Sequence, residues 1–138
     1  MKKQFFDKKT YDGKSFDKYE HEEIMVPSKK YGTTYYFELY LTHQQIPNSW
    51  KNLFHKGIEN GDRTLATWIC PSINKLHCRI STKNNANDGF DSFTVFDINK
   101  LYKLAFVVSK NHYSLYVNGM LDTTVRINSD LLLTDGPL

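Results

Sequence analysis

The chain reads as an all-β protein, an antiparallel sandwich of two sheets, and three features lead to that reading. The first lies between Trp50 and Thr82, WKNLFHKGIENGDRTLATWICPSINKLHCRIST. Three short runs, 53–56, 64–70 and 76–81, are separated there by Gly57, by Pro71 and by the segment Ser72-Ile73-Asn74-Lys75. Runs of β-branched and aromatic residues between Gly, Pro and Asn breaks are strand and hairpin signals. The second is an alternation from Tyr35 to Thr42. Tyr35, Phe37, Leu39 and Leu41 fall on one face, and Tyr36, Glu38, Tyr40 and Thr42 on the other. Successive side chains of a strand point to opposite sides, so a period of two marks a half-buried strand. The third is Asn118-Gly119 between the runs 113–117 and 120–125. Asn-Gly supplies the two positive-φ residues that a type I′ hairpin turn requires.

Taken in order, residues 1–21 are polar and mixed in charge and read as an irregular lead-in or an N-terminal strand. Residues 22–138 form the sandwich domain. Glu23 to Pro27 reads as a short strand ended by proline, followed by a loop to Gly32. Gln44 to Ser49 is a loop around Pro47. Lys83 to Asp91, KNNANDGFD, holds almost nothing apolar and belongs on the surface. Asp91 to Phe96 is expected as a strand and Asp97-Ile98-Asn99 as a turn. Leu101 to Ser109 is the most apolar run and is expected as a central strand. The count comes to about nine or ten short strands with no long helical period, which suits a sandwich. The expected core comprises Trp68, Leu76, Ile80, Leu104, Phe106, Val108, Leu115 and Val117.

Composition sets outer bounds. The 138 residues fit one domain, and 40% hydrophobic with 14% aromatic residues is enough for a packed core. Nine Tyr and nine Phe suit β structure, where aromatics pair across strands. A net charge of +3, with both signs spread along the chain, is too mild to argue for nucleic acid. No apolar run approaches the roughly 18 residues of a membrane span, and the N-terminus MKKQFFD lacks an apolar signal core.

A family resemblance rests on particular residues. Trp50, Phe54-His55-Lys56-Gly57, Asp62-Arg63, Trp68, Pro71, Leu76, Arg79 and Ile80 resemble the laminin-G-like, concanavalin-A-like domain family. Lys103 to Val108 and Leu115-Tyr116-Val117-Asn118-Gly119-Met120-Leu121-Asp122 resemble two more of its strands. The resemblance covers roughly residues 22 to 138 and implies a jelly roll. It implies little about activity, because that fold hosts lectins, adhesion modules, pentraxins and glycosidases.

The chemistry on offer is sparse. A glycosidase needs two carboxylates across one cleft, and no Glu-x-Asp-x-x-Glu run occurs; Glu20, Glu22 and Glu23 read as a solvated acidic face. Zinc on Cys70, Cys78 and His77 is geometrically poor, since His77 and Cys78 are neighbours on opposite strand faces. Calcium is the more credible metal, with oxygens from Asn85, Asn87, Asp88 and Asp91 in one loop; plain turn chemistry is the alternative reading of the same residues. Exposed Tyr36, Tyr40 and Trp50 offer flat faces for a sugar ring, or else close a second core face. A turn centred on Asn74 would set Cys70 opposite Cys78, within disulfide range; reduced core cysteines are the alternative. A disulfide would argue for a secretory or extracellular home.

The expectation is a non-catalytic recognition module, one domain of a larger secreted or surface protein, that binds a glycan or a protein ligand. Its candidate contacts are Trp50, Asp62, Arg63, Asn87, Asp88 and Asp91. A scaffolding domain without a small ligand is the second reading, and a glycoside hydrolase the third.

Overall fold

The computed structural model describes residues 32–57 and 61–132. The lead-in, the Glu23 to Pro27 run and the last six positions lie outside them. Among the described residues there are eight strands: β1 (Thr33–Tyr40), β2 (Lys51–Lys56), β3 (Leu65–Ile69), β4 (Leu76–Ile80), β5 (Asp88–Asp91), β6 (Leu101–Val108), β7 (His112–Val117) and β8 (Met120–Arg126). They form two antiparallel sheets of four strands, ordered β1-β6-β7-β8 and β2-β3-β4-β5. No helix among the described residues is long and apolar enough to cross a membrane.

The alternating strands do what their period dictates. In β1, Leu39 is buried and Tyr35 and Phe37 are half-buried against the core, while Tyr36, Glu38 and Tyr40 face solvent. In β6, Tyr102, Leu104, Phe106 and Val108 are buried. Asn118 and Gly119 take φ of 51° and 82°, the pair of left-handed residues that closes β7 onto β8. The inward faces of both sheets share one core, so the two sheets pack as a β-sandwich. Three rings join them: Phe37 of β1 stacks on Phe54 of β2 at 4.3 Å between centroids, and Phe106 of β6 meets both edge-on, at 5.7 and 5.3 Å. Offset and edge-to-face rings add about 0.5–1.5 kcal/mol per pair beyond area burial.

Three expectations need correction. The β3–β4 register is the first. Thr67, not Cys70, lies opposite Cys78, and Trp68 lies opposite His77. The hairpin is closed one step beyond β3, where the Cys70 amide donates to the Lys75 carbonyl at 2.9 Å. Ser72 takes a φ of 64° within that loop. Asn74, expected at the turn centre, is displaced from it by the register and is buried. Its Nδ2 donates to the Phe96 carbonyl and to Gln44 Oε1, at 3.0 and 3.2 Å, and its Oδ1 accepts the Gln45 amide at 3.1 Å. An odd shift in register flips every β3 side chain to the other face. Trp68 is therefore half-buried on the outer face rather than in the core. Both thiols are free and both side chains are buried, Cys78 within the central core cluster and Cys70 apart from it, beneath the outer face. The Cys70–Cys78 disulfide falls with the register.

The second is Asp91 to Phe96. The strand is Asp88–Asp91 instead, and residues 92–97 are irregular. Asp122 draws that segment to β8: its carboxylate accepts the amides of Phe93 and Thr94, at 2.8 and 2.9 Å, and the hydroxyls of Thr94 and Thr123. Gly89 lets β5 lie close to β4, since a Cβ there, at φ +139°, would come 2.1 Å from the Cys78 carbonyl oxygen. The third is Val117, which is half-buried; the rest of the expected core apart from Trp68 is buried.

Two predictions follow from this packing. Phe106 is fully buried, so Phe106→Ala should lower the unfolding free energy by about 3–5 kcal/mol, read by chemical denaturation. Tyr36→Ala on the exposed face should stay within about 0.5 kcal/mol. Burial alone would raise the Asp122 pKa, but the hydrogen bonds from Thr94, Thr123 and the Phe93 and Thr94 amides outweigh it and hold the group below the usual carboxylate range. Its contribution is present above the unfolded value near ~3.9 and is lost as pH falls through the lower folded value. Wild type should therefore lose melting temperature more steeply than Asp122→Asn on acidification below that range, with the two curves converging in acid.

Candidate ligand-binding groove

The β2-β3-β4-β5 sheet turns one polar and aromatic row outward. Asn52, Trp68, His77 and Asp91 are successive cross-strand partners. Their neighbours Thr67, Cys78 and Phe90 face the core, so alternation sends the row to the other side. A bulge between Asn52 and Phe54 keeps both ends of β2 in place. The extra residue, Leu53, lets Phe54 point inward while Asn52 points outward.

Aromatic and basic side chains stand around this row. Trp50, just before β2, meets His77 edge-on at 4.8 Å, and Trp68 lies 6.1 Å from the same ring. The Arg63 guanidinium sits over Trp68, 5.4 Å from the ring centre. It is held there by Nη1 donating to the Ala86 carbonyl at 2.9 Å, while the Arg63 amide donates to Ser81 Oγ at 2.8 Å. That contact brings the 82–87 loop to the sheet. The result is a shallow groove of about 320 Å³ lined by Trp50, Arg63, Trp68, His77 and Asn87. Trp50 is 53% exposed.

The polar wall is tightly bonded. His77 Nδ1 and Arg79 Nη2 both reach Asp91 Oδ1, at 2.7 and 3.0 Å. Arg79 Nη1 also donates to the carbonyls of Cys78 and Phe90. Burial, joined by the Arg79 charge, lowers the His77 pKa despite Asp91 and so favours the uncharged ring. A carboxylate only accepts, so in that form Nδ1 carries the proton and Nε2 keeps a lone pair. Cys70 is on the same face. Burial, then the Asp91 charge, push its thiol pKa up.

Of the residues singled out in the sequence, Trp50, Arg63 and Asn87 line the groove and Asp91 bonds to His77. Asp62 and Asp88 are elsewhere. The Asp62 backbone carbonyl meets His55 Nε2 at 3.0 Å. Asp88 pairs with inward-facing Ile80, and its Oδ1 accepts the Gly89 amide. Asp88 and Asp91 thus point to opposite faces of β5, and Asn85 Oδ1 is taken by the Asn87 amide. Two of the four calcium candidates, Asp88 and Asp91, therefore do not share a face. Nor do the three exposed aromatics: Tyr36 and Tyr40 lie on the outer face of the other sheet. Trp68 and His77 complete the groove, and only the register could have found Trp68.

Compared with known proteins, the chain matches no family model, no curated protein and no solved structure.

Proposed function

We propose that this chain is a non-catalytic recognition module of the laminin-G-like, concanavalin-A-like kind its sequence resembles, with jelly-roll connectivity, and that it binds a glycan in the groove. The observation that carries the reading is the grouping of two indoles, Trp50 and Trp68, with Arg63, His77 and Asn87 around one shallow cleft. An indole offers a flat apolar face that suits the C–H side of a sugar ring. The guanidinium, the amide and the imidazole edge supply hydrogen-bonding groups for its hydroxyls. Few convergent polar groups on an otherwise aromatic wall is the usual make-up of a small-ligand site.

The non-catalytic part has its own support. Hydrolysis of a glycosidic bond calls for two carboxylates across the cleft. No carboxylate is among the lining residues, and Asp91, which bonds to the groove's His77, is also engaged by Arg79. A secreted or cell-surface setting within a larger protein rests on the resemblance alone, because the free cysteines remove the argument from a disulfide.

A glycan array probed with the whole chain, followed by titration of tryptophan fluorescence with the best sugar, tests the reading. Trp50→Ala should weaken binding about tenfold or more, equivalent to about 1.4 kcal/mol, while leaving the melting temperature near wild type. Tyr36→Ala should leave the affinity unchanged. Retention of no glycan, or equal affinity in Trp50→Ala, overturns the proposal.

A further inference from the structure

Cys70, His77 and Asp91 come from three places in the sequence: the loop after β3, the second position of β4 and the end of β5. The sheet brings them together on its outer face. The thiol sulfur, a ring nitrogen of His77 and a carboxylate oxygen of Asp91 all lie within 4.8 Å of one another. This is not the set weighed from the sequence. Cys78 is on the opposite face, and the same register that removed the disulfide put Cys70 beside His77.

We propose that Cys70, His77 and Asp91 form a three-ligand site for a zinc ion, with a fourth position left to water or an incoming ligand. Zinc takes thiolate, imidazole and carboxylate donors at about 2.0–2.3 Å, so a tetrahedral ion holds its ligand atoms about 3.3–3.8 Å apart. The widest of the three separations needs to close by at most about 1.5 Å to meet that spacing, while the His77–Asp91 hydrogen bond, 2.7 Å between Nδ1 and Oδ1, opens to it. Asp91 has the room to move, since its side chain is 50% exposed. One thiolate and one carboxylate balance the two charges of the ion. The donor set also selects the metal. Sulfur and imidazole together suit zinc and disfavour calcium or magnesium, which prefer oxygen.

The neighbouring charges are compatible with this. The His77 Nδ1 proton now shared with Asp91 Oδ1 moves to Nε2 when the metal takes Nδ1; Arg79 keeps Oδ1, which leaves Oδ2 for the metal, and its carbonyl bonds hold the guanidinium in place. Arg63 donates through Nη1 to the Ala86 carbonyl and lies over the Trp68 ring; its charge and that of Arg79 act on His77, and the thiolate and carboxylate of the site offset them. The Lys75 backbone closes the loop that carries Cys70. His77 belongs both to this set and to the groove wall, so a bound ion would sit at the edge of the groove. Binding of the metal does not depend on the glycan reading, and its test contains no sugar.

Cobalt(II) replaces zinc as a spectroscopic probe, added to the whole reduced chain. The expected result is one cobalt per chain, with a thiolate-to-cobalt charge-transfer band, tetrahedral visible bands and displacement by zinc. Cys70→Ser should abolish the charge-transfer band, and His77→Gln and Asp91→Asn should each weaken zinc binding at least tenfold, with far-ultraviolet circular dichroism unchanged. If Cys70→Ser misfolds, wild type still decides: zinc should protect Cys70 from iodoacetamide, read by peptide mass. No thiolate band, a band that survives Cys70→Ser, or Cys70 alkylation indifferent to zinc overturns the site.

Discussion

The pairing of Trp68 with His77 across β3 and β4 decides what this protein presents to solvent. A strand has two faces and a period of two, so one register leaves no freedom to choose side chains individually. With Thr67 opposite Cys78, the sequence Leu65-Ala66-Thr67-Trp68-Ile69 turns Leu65, Thr67 and Ile69 into the core. The same act turns Trp68 and Cys70 out to meet His77 and Asp91. The aromatic groove and the Cys-His-Asp cluster are two consequences of one set of backbone hydrogen bonds.

What holds that register is spread through the molecule. Asn74 anchors the β3–β4 loop to the 44–45 and 96 segments, and the Phe37, Phe54 and Phe106 rings lock the two sheets together. Loss of a buried partner leaves polar groups unsatisfied at about 1–3 kcal/mol each, so the loop has little slack. Arg63 extends the same logic to the groove rim. It joins the 82–87 loop to the Trp68 ring by one hydrogen bond and one stacking contact, so Asn87 is placed by the chain's own packing.

The parts legible in the sequence were those with local causes. Alternation in 35–42 and 101–109 fixed which faces of β1 and β6 are buried, and Asn118-Gly119 fixed the β7–β8 turn. The outward direction of His77 was readable for the same reason. The β3–β4 register was not, because it depends on an asparagine whose partners are 22 to 30 residues away. Asn in a polar connection reads as a turn centre; only the tertiary contacts show that it is buried. The run 91–96 alternates convincingly, yet Phe93 and Val95 are exposed and Asp122 holds the Phe93 and Thr94 amides. Conversely Asp88-Gly89-Phe90-Asp91 looks like a loop and pairs as a strand, because glycine permits close approach to β4. Of the site, the exposed Trp50 and the polar Arg63, Asn87 and Asp91 could be nominated from residue type, whereas their grouping with Trp68 could not.

The most direct test of the account is a nuclear Overhauser spectrum of the folded protein, read at the Trp68 indole. The β3–β4 register described here predicts cross-peaks from that ring to the His77 ring and the Arg63 side chain. Cross-peaks to the Ile80 and Leu115 methyls, with none to His77, would mean that Trp68 points into the core, and the groove and the metal cluster would both be lost.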